Sequence, residues 1–193
     1  MRKMVFCLAG LLALTGLTAA RAAEWKMDGA TAGNRLEFIA TFQKKPAPGV
    51  FKDFDVRLDF DPDKPAGGHL DVSIRVTSAD MANASINKAI AGMDWFDFAR
   101  YQQAQFHADD IRRVTGDAAA SRYLARGILS LKGVQQPVEV PFTWSAAGSA
   151  ATLDGQFVTQ RAAFGIGTGE WAATDDIGAN VTVKFHVQLR GAP

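Results

Sequence analysis

Beyond the N-terminal segment, apolar and polar residues alternate with a period of two. Val56, Leu58 and Phe60 alternate with Asp55, Arg57 and Asp59. Leu70, Val72, Ile74 and Val76 alternate with Asp71, Ser73 and Arg75, and Val138, Val140, Phe142 and Trp144 with Glu139, Pro141 and Thr143. Val181, Val183, Phe185, Val187 and Leu189 alternate with Thr182, Lys184, His186 and Gln188. Each run puts apolar side chains on one face of a strand and polar ones on the other. Further strands are predicted near residues 36–41, 105–113, 123–131 and 152–159, with turn signals at Pro46 to Gly49, Pro62 to Gly68, Thr115-Gly116-Asp117, Lys132-Gly133 and Ala147-Gly148. With no alternation of strands and helices, the pattern predicts an all-β antiparallel fold, barrel or sandwich. The length of the strands favours a barrel, of about eight strands.

One stretch departs from the period of two. Ile86, Ile90 and Met93 fall at helical spacing, and Asp94-Trp95-Phe96-Asp97-Phe98 resembles a capping box with Asp94 as N-cap. These residues predict a short helical insert over about 83–100. Two roles stand for it: a cover over one mouth of the barrel, or an ordinary surface helix packed on the core.

The N-terminal segment has its own logic. Arg2 and Lys3 precede an almost continuous apolar run over residues 4–17, and Ala20-Arg21-Ala22 fits the small-residue rule for leader cleavage. Residues 1–22 are expected to be a secretory signal peptide, and 23–193 a single domain that works in the periplasm. The run is short for a membrane span. The only cysteine, Cys7, lies inside this leader, so the mature chain has no thiol for disulfides, metals or catalysis. Loss of Arg2, Lys3 and Arg21 turns the formal charge of +1 into 18 basic against 20 acidic residues. No basic stripe remains to bind nucleic acid.

The chemistry-bearing motifs are absent. His69, His107 and His186 lack metal-ligand spacing, and no nucleophile-elbow sequence occurs. Gly165-x-Gly167-x-Gly169 opens no strand–helix unit and is expected to let the chain turn with positive φ. Asp59, Asp61 and Asp63 fail as a calcium loop, because Lys64 stands where glycine is required and Leu70 where glutamate is. The expectation is a protein that is not an enzyme and carries no metal. What the chain has in quantity is aromatic mass, with 13 phenylalanines and four tryptophans. A barrel of this size is filled by its own side chains or holds one small ligand, and a filled core is the default.

The order of motifs resembles the YceI family of lipocalin-like bacterial proteins, from about Trp25 to Leu189. The resemblance rests on Trp25, on Leu36-Glu37-Phe38, and on Gly49-Val50-Phe51-Lys52-Asp53-Phe54 leading to Phe60-Asp61-Pro62. It continues in Gly92-Met93-Asp94-Trp95-Phe96-Asp97 and Ala104-Gln105-Phe106. The segment from Gly127-Ile128-Leu129 through Gly133-Val134 to Pro137-Val138, then Arg161-Ala162-Ala163-Phe164-Gly165-Ile166 and Ile177-Gly178, complete it. Gly33-Asn34 and Tyr101-Gln102 depart from the family pattern, and both lie near loops. The resemblance implies a lipocalin-like barrel holding an isoprenoid lipid, a polyprenyl phosphate or a ubiquinone-like tail, with no covalent cofactor. Other implied partners are a transient membrane or cytochrome contact, the chain itself being a monomer or homodimer. Two alternatives remain: an accessory quinone-binding protein of membrane electron transport, and an enzyme acting on an isoprenoid substrate.

For such a ligand the inward faces supply a lining. It comprises Phe38, Leu58, Phe60, Val72 and Ile74 from the first strands, and Phe106, Leu129, Phe142 and Trp144 from the middle ones. Phe157, Phe164, Val183 and Phe185 complete it, with Trp95, Phe96 and Phe98 at the mouth. Arg161 has two readings, a contact to a phosphate or quinone oxygen or a structural contact to carbonyls near its turn, and the second is preferred. The leader yields the first prediction. N-terminal sequencing of the periplasmic fraction should show a mature chain beginning at Ala23 or Glu24, whereas an uncleaved species that pellets with membranes would contradict it.

Overall fold

In this computed structural model residues 23–114 and 121–191 are described. The expected leader and the turn expected at Thr115-Gly116-Asp117 lie outside the described residues. In chain order the strands begin β1 (Ala23–Met27), β2 (Arg35–Phe42), β3 (Lys45–Phe51), β4 (Phe54–Phe60), β5 (His69–Arg75) and β6 (Ala79–Asp80). Helix α1 (Ala84–Ile90) follows, then β7 (Gln103–Arg113), β8 (Arg122–Leu131), β9 (Val134–Ala147), β10 (Ala150–Gln160) and β11 (Asn180–Gly191).

Among the described residues, eight of these strands close a ring, in the order β1-β4-β5-β7-β8-β9-β10-β11, with β11 returning to β1. Every pairing is antiparallel, as the alternating polar and apolar faces require. The edge of β11 is shared. Its C-terminal end meets β1 through Leu189↔Met27, and its N-terminal part meets β2 through Val183↔Phe38. At that second end β2 carries β3, which carries β6, and α1 follows directly. The ring is therefore complete at one end and extended by a flap at the other.

Two expectations are corrected here. Pro46 to Gly49, read as a turn, lies within strand β3. A strand at the border of a sheet tolerates proline, and Pro46 and Pro48, two residues apart, turn their donor-less nitrogens to the same side. The actual turn is Gln43-Lys44, whose φ values of 46° and 63° suit a two-residue hairpin. The helical insert is also shorter than 83–100. Asn83 caps α1 by accepting from the Ile86 amide at 3.1 Å, and the helix ends at Ile90. Residues 91–101 are turns. Asp94 caps no helix, because its carbonyl accepts from the Gly167 and Thr168 amides.

The complete end is solid. Phe60 packs edge-on against Tyr123 at 4.9 Å and against Trp144 at 5.3 Å between ring centroids. Trp25 meets Trp144 at 5.0 Å, and Phe142 stacks on Tyr123 at 5.4 Å. These offset geometries are the ones ring quadrupoles favour. The Tyr123 hydroxyl donates to the Pro62 carbonyl and accepts from Arg113, so that ring's polar tip is satisfied. Leu58, Ile111 and Leu189 fill the remaining space. Truncating a ring in such a cluster removes transfer energy and leaves a cavity. Trp144→Ala should therefore cost about 3–5 kcal/mol in urea unfolding, and a cost below about 1 kcal/mol would show that this end is not packed.

Candidate functional site

At the other end the inward side chains do not meet. They enclose a blind cavity of about 490 Å³. One wall is Val72 and Ile74 of β5 with Phe106 of β7 and Leu129 of β8. The facing wall is Phe157 of β10 with Val183 and Phe185 of β11 and Phe38 of β2. The floor lies where the aromatic cluster begins, at Val56, Leu70, Val140, Leu153 and Val187. Gly155 belongs to this architecture. A Cβ there would lie 2.4 Å from Cζ of Phe185, so only glycine lets that ring lie flat against the wall.

The mouth is formed by two turns and α1. Trp95 and Phe96 come from the turns after α1, and Phe164 and Trp171 from the segment between β10 and β11. The two segments are cross-linked. Lys132, in the β8–β9 hairpin, donates to the Met93 carbonyl at 2.7 Å and the Gly165 carbonyl at 2.6 Å. Burial pushes the Lys132 ammonium below its ordinary pKa. The Thr168 hydroxyl donates to the Asp94 carboxylate at 2.9 Å, and the Trp95 and Trp171 rings lie 5.8 Å apart. Phe42 and Ile86 line the cavity yet are 45% and 41% exposed, which places the opening between the β2–β3 hairpin and α1.

Arg161 lies beside this cavity, 3% exposed, and its N–H groups point into the protein. Nε donates to Gly178, Nη1 to Ile166 and Gly167, and Nη2 to Ala173 and Ile177, all backbone carbonyls. Those contacts use the five donors a guanidinium has, leaving none for a ligand oxygen. Among the described residues no carboxylate pairs with the cation, and burial pushes its pKa down. The carbonyls of the 161–178 segment solvate the charge, and the charge in turn fixes that segment. The glycines support this. Gly165, Gly167 and Gly169 have φ values of 62°, 71° and 61°, and a Cβ on Gly167 would lie 2.2 Å from Nη1. The head-group reading of Arg161 gives way to the structural one.

Of the residues expected to line a ligand site, Leu58, Phe60, Phe142 and Trp144 lie in the packed end, away from the cavity. Alternation tells which face of a strand points inward, not how far along the barrel axis the residue sits. Phe98 stacks behind Phe96 at 6.1 Å rather than on the cavity. The other expected positions, Phe38, Val72, Ile74, Trp95, Phe96, Phe106, Leu129, Phe157, Phe164, Val183 and Phe185, all border it. The floor residues Val56, Leu70, Val140 and Val187 belong to the same alternating runs but were missing from the expected lining. Ile86 and Ile90 carry only a helical-spacing signal, and Trp171, in a short turn, carries none. Among the described residues no three His, Cys, Asp or Glu side chains gather as a metal site requires. His107 and His186 each pair with a carboxylate on the outer face, Asp71 at 2.7 Å and Asp154 at 2.5 Å. The hydrogen bond to Asp71 holds the His107 pKa above its ordinary value.

A closed antiparallel barrel with one packed end and one blind apolar cavity defines a lipocalin-like class of small-ligand barrel. The YceI-like domain matches residues 25–189, and the chain belongs to the YceI family. Protein YceI of Escherichia coli is 34% identical over 90 residues, 47% of this chain and 44% of that one. A UPF0312 protein of Pseudomonas savastanoi is 31% identical over 100 residues, 52% of this chain and 50% of that one. These alignments thus span about half the length of the curated relatives. Among solved structures, Burkholderia cenocepacia BcnA superposes with a TM-score of 0.74 at 35% identity, over 80% of this chain and 95% of that one. A polyisoprenoid-binding domain from Saccharophagus degradans superposes with a TM-score of 0.67 at 16% identity, over 87% and 98%, a likeness of fold alone.

The carbonyl nest yields a prediction. Arg161→Lys keeps the charge but loses the fork, leaving buried carbonyls unpaired, a loss of about 2–4 kcal/mol. Urea unfolding should show that loss, and limited proteolysis should cut faster within 161–178. An unchanged midpoint would contradict the structural role.

Proposed function

We propose that this protein is a binding protein that holds one isoprenoid lipid, a polyprenyl phosphate or a ubiquinone-like molecule, and carries it in the periplasm. The observation that carries this reading is the cavity, blind at one end and apolar along its walls. Its side-chain polar groups are few: Thr41, Ser85, Thr159, the two indoles and a guanidinium already committed to backbone. Such walls suit a methyl-rich chain, for which each buried methylene is worth about 0.8 kcal/mol. The floor admits a tail and offers a polar head nothing, so the lipid enters tail first and its head stays at the mouth. The lining holds no carboxylate, imidazole or amine to move a proton, and this favours carriage over turnover. The polyisoprenoid-binding domain of Saccharophagus degradans, which shares the fold, agrees with this reading. So does the leader-like segment ahead of Ala23. The exposed Phe42 and Ile86 at the mouth give a membrane or a cytochrome a surface at which to exchange the lipid transiently.

Mass spectrometry of an organic extract of protein purified from its native periplasm tests this. An isoprenoid approaching one per protein is expected. A polyprenyl phosphate would favour a carrier, and a quinone would assign the protein to electron transport. Extracts holding only acyl lipids, or no lipid, would contradict the isoprenoid assignment.

A further inference from the structure

We propose that Phe142 sets the length of chain the cavity accepts, as the packed side chain next below the floor residue Val140. The inference rests on the lipid-carrier reading and adds a specificity determinant to it.

On four strands of the ring the last inward residue that touches the cavity is followed, two positions deeper, by one that does not. On β4 the pair is Val56 and Leu58, on β7 Phe106 and Ala108, on β9 Val140 and Phe142, and on β11 Val187 and Leu189. Of these four deeper side chains Leu58, Phe142 and Leu189 are large, and Phe142 is the largest of the four. It is 3% exposed and packs against Tyr123 at 5.4 Å and Phe60 at 6.0 Å. Its neighbours across the ladder are Tyr123 on one side and Gly155 on the other. Over Gly155 lies the ring of Phe185, a wall residue of the cavity, so on β9 the side chain next below Val140 is the Phe142 ring. As a stop it is rigid, because the rings it meets are packed.

The step between layers matches the ligand. Two residues along an antiparallel strand rise about 6.8 Å, and a tilt of about 40° converts this into about 5 Å of depth, close to one isoprene unit of an extended chain. Removing the Phe142 ring lowers the floor by one layer, and filling the layer above raises it by one. Units beyond the capacity of the cavity hang out at the mouth and add nothing. Affinity therefore climbs with chain length and then levels off, and the floor fixes the length at which it levels.

The test measures affinities of delipidated protein for polyprenols of increasing length, and in parallel for straight-chain fatty alcohols, in wild type, Phe142→Ala and Val140→Phe. In the wild type, affinity should rise about tenfold or more per isoprene unit up to a plateau. Phe142→Ala should move the start of the plateau one unit longer and Val140→Phe one unit shorter. If Phe142→Ala does not fold, Phe142→Leu, a smaller truncation, takes its place with a shift in the same direction, and Val140→Phe serves as the control that the chain reaches the floor. A plateau that stays put in a folded variant would overturn the stop. A plateau that shifts for fatty alcohols while polyprenols fail to bind would uphold the stop and refute the isoprenoid assignment. Failure to bind either series would refute both.

Discussion

The edge-to-face cluster of Trp25, Phe60, Tyr123, Phe142 and Trp144 closes one end of the barrel, and the rest of the molecule depends on it. A ring of eight strands sits at the border between an interior its side chains fill and one that keeps room for a ligand. This chain has both, one at each end. The large rings concentrate buried apolar area where the ladder is complete, and that area stabilises the fold. The far end is thereby released from the need to fill itself. A hollow forfeits dispersion contacts along its walls, and the packed end offsets that loss.

The open end is organised by polar contacts that face away from the hollow. Arg161 draws carbonyls from Ile166, Gly167, Ala173, Ile177 and Gly178 around one cation. Lys132 and Asp94 tie the same segment to the turns after α1. A buried charge without a carboxylate is costly unless dipoles surround it, and here the segment's own backbone supplies them. The mouth thus keeps its shape without placing a charged partner in the cavity. Above it, Phe42 and Ile86 are both exposed and continuous with the apolar lining.

Much of this was legible in the sequence because a period of two reports on a face. The alternation in residues 56–60, 70–76, 138–144 and 181–189 assigned the right side chains to the interior, and the motifs around Gly49, Gly92, Gly133 and Arg161 pointed to the right family. Depth was not legible. Val140 and Phe142 are equivalent by period, yet one borders the cavity and the other plugs the barrel. Their separation depends on register and shear across the whole ring, which no single strand records. Pro46 and Pro48 read as a turn because proline is excluded from central strands, whereas a border strand accepts it. Asp94 read as a helix cap, but its partners, Gly167 and Thr168, are far away in sequence. For Arg161 the residue type suited both a ligand oxygen and a carbonyl nest, and only the positions of the surrounding carbonyls decide between them.

One end of the barrel is solid and the other encloses an apolar cavity, proposed above to hold the lipid. Amide hydrogen exchange on delipidated and lipid-loaded protein tests this directly. Loading should slow exchange at the cavity end, in the C-terminal halves of β5, β8 and β10 and the N-terminal halves of β7 and β11. Phe60, Tyr123, Trp144 and Leu189 at the packed end should exchange slowly and equally in both states. Protection gained first or mainly around those packed residues, or a cavity end unmoved by the lipid, would contradict the account.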